Sequence, residues 1–87
     1  MKVNITFSNE IKVYPNPTST SVNITLPPEI EKYQIDIHDI MGKLVYTEIQ
    51  NENSTTEIEI GTWTEGVYIV NVTANGISKR TKFLISK

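Results

Sequence analysis

Gly66-Val67-Tyr68-Ile69-Val70-Asn71-Val72-Thr73-Ala74-Asn75-Gly76-Ile77-Ser78-Lys79-Arg80-Thr81-Lys82-Phe83-Leu84-Ile85 is the stretch that decides the fold class. Asn75-Gly76 is its pivot. Both residues tolerate a positive φ, as the tightest hairpin turns require. The chain before it, Val67 to Val72, is rich in β-branched residues. Its Val67-Tyr68-Ile69-Val70 run is apolar on both faces, so the pattern predicts a central strand covered on both sides. The chain after it, Ile77 to Ile85, predicts the returning strand, with less regular alternation through Lys79 to Leu84. Tyr68, Val70 and Phe83 are expected in the core.

The same period-2 pattern continues upstream. Val3, Ile5 and Phe7 alternate with Asn4 and Thr6; Ile11 and Val13 resume the alternation up to Tyr14. Pro15-Asn16-Pro17 stops that strand, because neither proline can donate to a ladder. Asn16, preceding a proline, is pushed to extended geometry. Val22, Ile24 and Leu26 form the next apolar set, closed by Pro27-Pro28. Glu29 to Lys32 is too short for a helix. Tyr33, Ile35 and Ile37 face inward, then Asp39-Ile40-Met41-Gly42 reads as a turn, with Lys43 to Ile49 as the return strand. In such a turn the Asp carboxylate bonds the backbone ahead and Gly tolerates the exit geometry. Gln50 to Thr55 reads as a polar loop. Ile58 and Ile60 mark a further strand, and Gly61 to Gly66 a connection whose Trp63 is expected to anchor in the core. About seven short strands, with turn signals every ~8–12 residues, predict an all-β antiparallel sandwich.

Composition agrees. Thirteen Ile, seven Val and eleven Thr are β-branched, against one Ala and three Leu among the strong helix formers. A chain of 87 residues builds one domain with one modest core. The absence of Cys excludes disulfide scaffolds and thiolate metal sites. A net charge of −2 excludes a globally basic nucleic-acid binder. One His and two Asp leave little for acid–base catalysis, so no enzyme and no cofactor is expected.

Candidate chemistry is sparse. Asp36 and His38 share a strand face, but no further ligand cluster accompanies them, so they read as a solvated face rather than a metal site. Glu57 and Glu59 read the same way. Asn4, Asn23, Asn53 and Asn71 each begin an Asn-Xaa-Ser/Thr triplet, which matters only in a eukaryotic secretory setting. The uneven charge is more informative. Residues 1–65 balance at −6, whereas residues 66–87 carry Lys79, Arg80, Lys82 and Lys87 with no acid. Two readings stand side by side: a Lys-protected edge strand, or a basic terminal strand that a partner reads.

Five features occur in order: Val13-Tyr14-Pro15-Asn16-Pro17 before the strand Val22 to Leu26; Ile35-Asp36-Ile37-His38-Asp39 before Gly42-Lys43-Leu44-Val45; Ile58-Glu59-Ile60 before Gly66-Val67-Tyr68-Ile69-Val70; Asn75-Gly76; and Lys82-Phe83-Leu84-Ile85-Ser86-Lys87. Together they resemble the C-terminal sorting domains of the type IX (Por) secretion system of Bacteroidota. His38 departs from the aromatic that the family often has there. The resemblance spans residues 13–87, with residues 1–12 as a lead-in strand or the end of a parent's linker. It implies an immunoglobulin-like sandwich at the end of a larger exported protein, acting as an address and catalysing nothing. The implied partners are the outer-membrane translocon and shuttle components, a sortase-like cysteine protease, and a cargo domain N-terminal in the same chain. The cargo would cross the periplasm and outer membrane to the cell surface or medium, in many members joined to an anionic lipopolysaccharide. The implied recognition residues are Pro15, Asn16, Pro17, Gly66, Tyr68, Lys82, Phe83, Ile85 and Lys87, with Gly42 and Gly76 as turn glycines. The competing reading is a structural or carbohydrate-binding module, fibronectin- or immunoglobulin-like, of a surface protein.

Overall fold

A computed structural model describes residues 11–27, 30–51 and 55–87. The expected strand over Val3 to Phe7 lies outside the described residues. Seven strands follow in order: β1 (Lys12–Tyr14), β2 (Ser21–Thr25), β3 (Tyr33–Asp39), β4 (Leu44–Gln50), β5 (Thr55–Glu59), β6 (Gly66–Ala74) and β7 (Ile77–Ile85). They form a three-stranded sheet, β1-β2-β5, and a four-stranded sheet, β4-β3-β6-β7, with every strand pair antiparallel. Constant-type immunoglobulin domains place their fourth strand in the first sheet. Here β4 pairs with β3 instead.

The core lies between the sheets, filled by the inward residue of each pleat. Val22, Ile24, Ile35, Ile37, Ile58, Ile60, Val70, Val72, Phe83 and Ile85 are almost wholly buried. The five expected core residues, Ile35, Ile37, Tyr68, Val70 and Phe83, are all buried. A hydrogen bond of 3.1 Å between the Tyr33 and Thr56 hydroxyls joins β3 to β5 across the core. Burial raises the Tyr33 pKa; the Thr56 bond opposes that rise and the charge of Glu48 adds to it.

Strand β6 corrects one expectation. It is central in its sheet, but only one of its faces is packed. Tyr68, Val70 and Val72 are buried, whereas Val67 and Ile69 are half-exposed on the outer face. The apolar run has the right position and one covered face, because a two-sheet sandwich supplies no third layer.

Both turns form as their residues dictate. The Asp39 carboxylate accepts the amides of Met41 and Lys43, each at 2.9 Å. Asn75 and Gly76 stand at φ 54° and 76°, the left-handed pair that a two-residue hairpin needs.

A candidate recognition site at the end of the terminal strand

Pro15, Asn16 and Pro17 follow β1 on the surface, all three exposed. They do more than stop a strand. The Asn16 side-chain oxygen accepts the amide of Leu84 at 2.9 Å. Two residues on, the Thr18 amide donates to the Leu84 carbonyl and the Ser86 amide donates to the Thr18 carbonyl, each at 2.9 Å. Thr18 and Ile85 thus make a short parallel bridge. Thr18 is buried, and its hydroxyl donates to the Ser21 carbonyl, which fixes the bend into β2. The segment 16–18 therefore covers the outer edge of β7 over its last residues.

The β5–β6 connection closes the same end from another side. The Lys87 amide donates to the Glu65 carboxylate at 2.8 Å, and its ammonium donates to the Gly61 carbonyl at 2.6 Å. Gly66, at φ 149°, takes a backbone conformation that side chains disfavour and pairs with Ile85. The buried Tyr68 donates its hydroxyl to the Thr64 carbonyl at 2.7 Å. A tyrosine near the start of this strand, bonding backbone a few residues upstream, is the tyrosine corner of sandwich folds. Tyr68 also stacks on Phe83 at 5.7 Å between ring centroids, and Trp63 leans on Tyr68 at 5.3 Å and on Tyr46 at 6.2 Å. Trp63 is half-buried at the rim rather than seated in the core. The connection that carries it, between β5 and β6, leaves it only partly covered. Beside it, the Tyr46 hydroxyl donates to Glu48. Burial, then that bond and the Glu48 charge, push the Tyr46 pKa up to about 12.

The fold thus gathers Asn16, Gly66, Tyr68, Phe83, Ile85 and Lys87 at one end, from segments far apart in the chain. Lys82 lies further along β7, exposed on the outer face. The turn glycines, Gly42 at φ 90° and Gly76, sit in the β3–β4 and β6–β7 turns. The tie between Asn16 and Leu84 was beyond sequence reasoning. No local pattern shows that a side-chain amide will stand in for a neighbouring strand. Among the described residues no three potential metal ligands cluster. The arrangement offers backbone edges, charge and apolar side chains, which are means of binding.

A sequence profile described as the secretion system C-terminal sorting domain matches residues 12–86. The chain belongs to that family. It is a type IX sorting domain. An ulvan lyase of Nonlabens ulvanivorans, NLR42, is 37% identical over 65 residues, covering 75% of this chain and 12% of the lyase. An endo-acting ulvan lyase of Formosa agariphila is 29% identical over 84 residues, covering 97% of this chain and 16% of the lyase. The chain therefore spans a small part of either relative. A crystal structure of a DUF3244 family protein from Bacteroides vulgatus, with an immunoglobulin-like β-sandwich fold, superposes with a TM-score of 0.74 at 17% identity, over 88% of this chain and 85% of that one. The sorting domain is thus an immunoglobulin-like sandwich, as its resemblance implied.

Proposed function

We propose that this sorting domain is the address by which a cargo N-terminal to it crosses the outer membrane through the type IX translocon. A sortase-like cysteine protease then removes the domain, and the cargo is attached at the cell surface. The domain contributes recognition and no catalysis. The observation that carries this reading is the family match over residues 12–86, which takes in nearly the whole sandwich. The signal is assigned to the end described above: Pro15 to Pro17, Gly66, Tyr68 and the terminal segment Lys82 to Lys87. Pro15, Asn16, Pro17, Lys82 and Lys87 are exposed and open to a partner surface, whereas Tyr68, Phe83 and Ile85 are buried and act by shaping that end from within.

A carbohydrate-binding role draws less support. Such a module needs an exposed aromatic platform. Among the described aromatics Tyr14 alone is exposed, at 45%, while Trp63 and Tyr46 are half-covered, and one exposed ring makes no platform.

The test is a reporter fused ahead of this chain in a host with the type IX machinery. The reporter should reach the surface or medium, and a host lacking the translocon should retain it. Deleting the last few residues, or changing Lys82 and Lys87 to Glu, should abolish export by a chain that stays folded if the signal sits there. Export by the translocon-deficient host would overturn the address reading. Unchanged export by a folded terminal variant would shift the signal to Pro15–Pro17 or Gly66–Tyr68.

A further inference from the structure

Strand β7 is the edge of its sheet, and its outer edge is divided. In an antiparallel strand each residue directs its N–H and C=O to the same side, and successive residues alternate. Leu84 directs both groups outward, to Asn16 and Thr18. The β6–β7 register is unbroken from Gly66↔Ile85 to Ala74↔Ile77. Lys82, Arg80 and Ser78 must therefore direct their backbone groups outward too, and among the described residues nothing pairs with them. The side chains of the same three residues are exposed on the outer face of the sheet.

Charge on that face is unbalanced. Arg80 stands in a row with Asn71 and Asp36, and Lys82 in a row with Ile69 and His38. Asp36 is the acid in these rows, and it accepts from Thr47 of β4, on the side away from β7, and from Gln34 two residues before it on β3. No ion pair ties Arg80 or Lys82 among the described residues. Lys87, by contrast, is held by Gly61 and Glu65 and belongs to the covered end.

We infer that the open segment Ser78–Lys82 is a docking edge for an extended peptide with acidic residues at alternate positions. Main-chain pairing to Ser78, Arg80 and Lys82 supplies the adhesion common to strand addition. Acids two residues apart on the incoming strand fall opposite Arg80 and Lys82, since cross-strand neighbours on one face repeat every second residue. Opposite charge selects this strand; an uncharged or basic strand meets two cations, which is also how an edge resists self-pairing. Asn16 and Thr18 set the limit of the added strand, because Leu84 and Ser86 already have partners. The interface is short, at the size of weak and transient contacts, as suits a domain that must be released after use. The meaning of this edge for export rests on the sorting reading, but the binding itself does not.

The experiment is a nuclear magnetic resonance titration of the 87-residue chain with the capped peptide Thr-Glu-Val-Glu-Val-Glu-Thr. The amides of Ser78, Arg80 and Lys82 should shift, and those of Leu84 and Ser86 should not. Binding should weaken as salt is raised. The same peptide with Lys for Glu should not bind. Arg80→Glu/Lys82→Glu should weaken binding by about tenfold or more, and Arg80→Gln/Lys82→Gln by less, with unchanged circular dichroism in both. Absence of binding at millimolar peptide, equal binding of the two peptides, or shifts centred on another strand would overturn the inference. If the reporter is still exported under any of those outcomes, the docking edge falls and the address reading stands.

Discussion

The four-stranded sheet has two edges, and they are built on opposite terms. Strand β7 carries Lys79, Arg80 and Lys82, and its far end is covered by residues 16–18. Strand β4 carries no cation and exposes Leu44, Val45 and Ile49. The turn before it adds Ile40 and Met41, the latter 87% exposed. One device does protect β4: its register slips between Ile37 and His38, so Val45 is an extra residue there. A bulge twists an edge and interrupts further pairing. Charge leaves the backbone of β7 usable by a partner of the right sign, whereas a bulge spoils the backbone itself. The edge guarded by charge is the selective one.

The largest expected effect strikes what both edges share. Ile37→Ala, in the strand beside β4, and Phe83→Ala, in β7, should each cost about 2–5 kcal/mol. Loss of that size should lower the thermal midpoint sharply for either variant. If Phe83→Ala alone unfolds the chain, the β7 side carries the greater share of stability. Gly76→Val acts on one edge only. It forces a β-branched residue to φ 76° and should cost about 1–3 kcal/mol, read by urea unfolding. Asn16→Ala is smaller again, at about 0.5–1.5 kcal/mol for one hydrogen bond. Its sharper readout is hydrogen exchange. The Leu84 amide, protected in the parent, should come to exchange as fast as those of Arg80 and Lys82. If Leu84 stays protected, the division of the β7 edge is wrong.

Changes on β4 test the other half of the comparison. Ile49→Lys gives β4 the kind of guard that β7 has. It should leave stability within about 0.5 kcal/mol and raise the concentration at which light scattering detects aggregates. The smallest effect is alkaline. Tyr46 and Tyr33 are held protonated in the fold above the ordinary tyrosine value. The native state therefore binds more protons than the unfolded state once pH passes about 10. Stability present below pH 10 should decline as pH rises toward the Tyr46 value of about 12. Tyr46→Phe should flatten part of that decline in urea midpoints measured at several alkaline pH values, with Tyr33 supplying the rest.

Much of the sandwich is legible in the chain because its signals are local. Ile35 and Ile37 declare a face by spacing. Asp39, Asn75 and Gly76 declare turns by what their own backbone and side chains permit. What fails is what depends on distant partners. Val67 and Ile69 look buried in sequence, but only a third layer would cover them. Trp63 looks like a core residue, but the connection holds it at the rim. Of the candidate site, the terminal strand's charge could be read directly. Its division into a covered and an open part could not, because residues 16–18 reach Leu84 and Ser86 from the other end of the chain.

Trp63 is the single tryptophan of the chain, and two tyrosine rings lie within 6.2 Å of it. Light absorbed by Tyr46 or Tyr68 will pass to the indole at such separations before either can emit. The emission colour of Trp63 then reports how wet the end of the sandwich is, close to Glu65 where Lys87 is held. The protein carries an optical gauge at the place where the address is proposed to be read. A partner seated there should shift that colour without any label being attached.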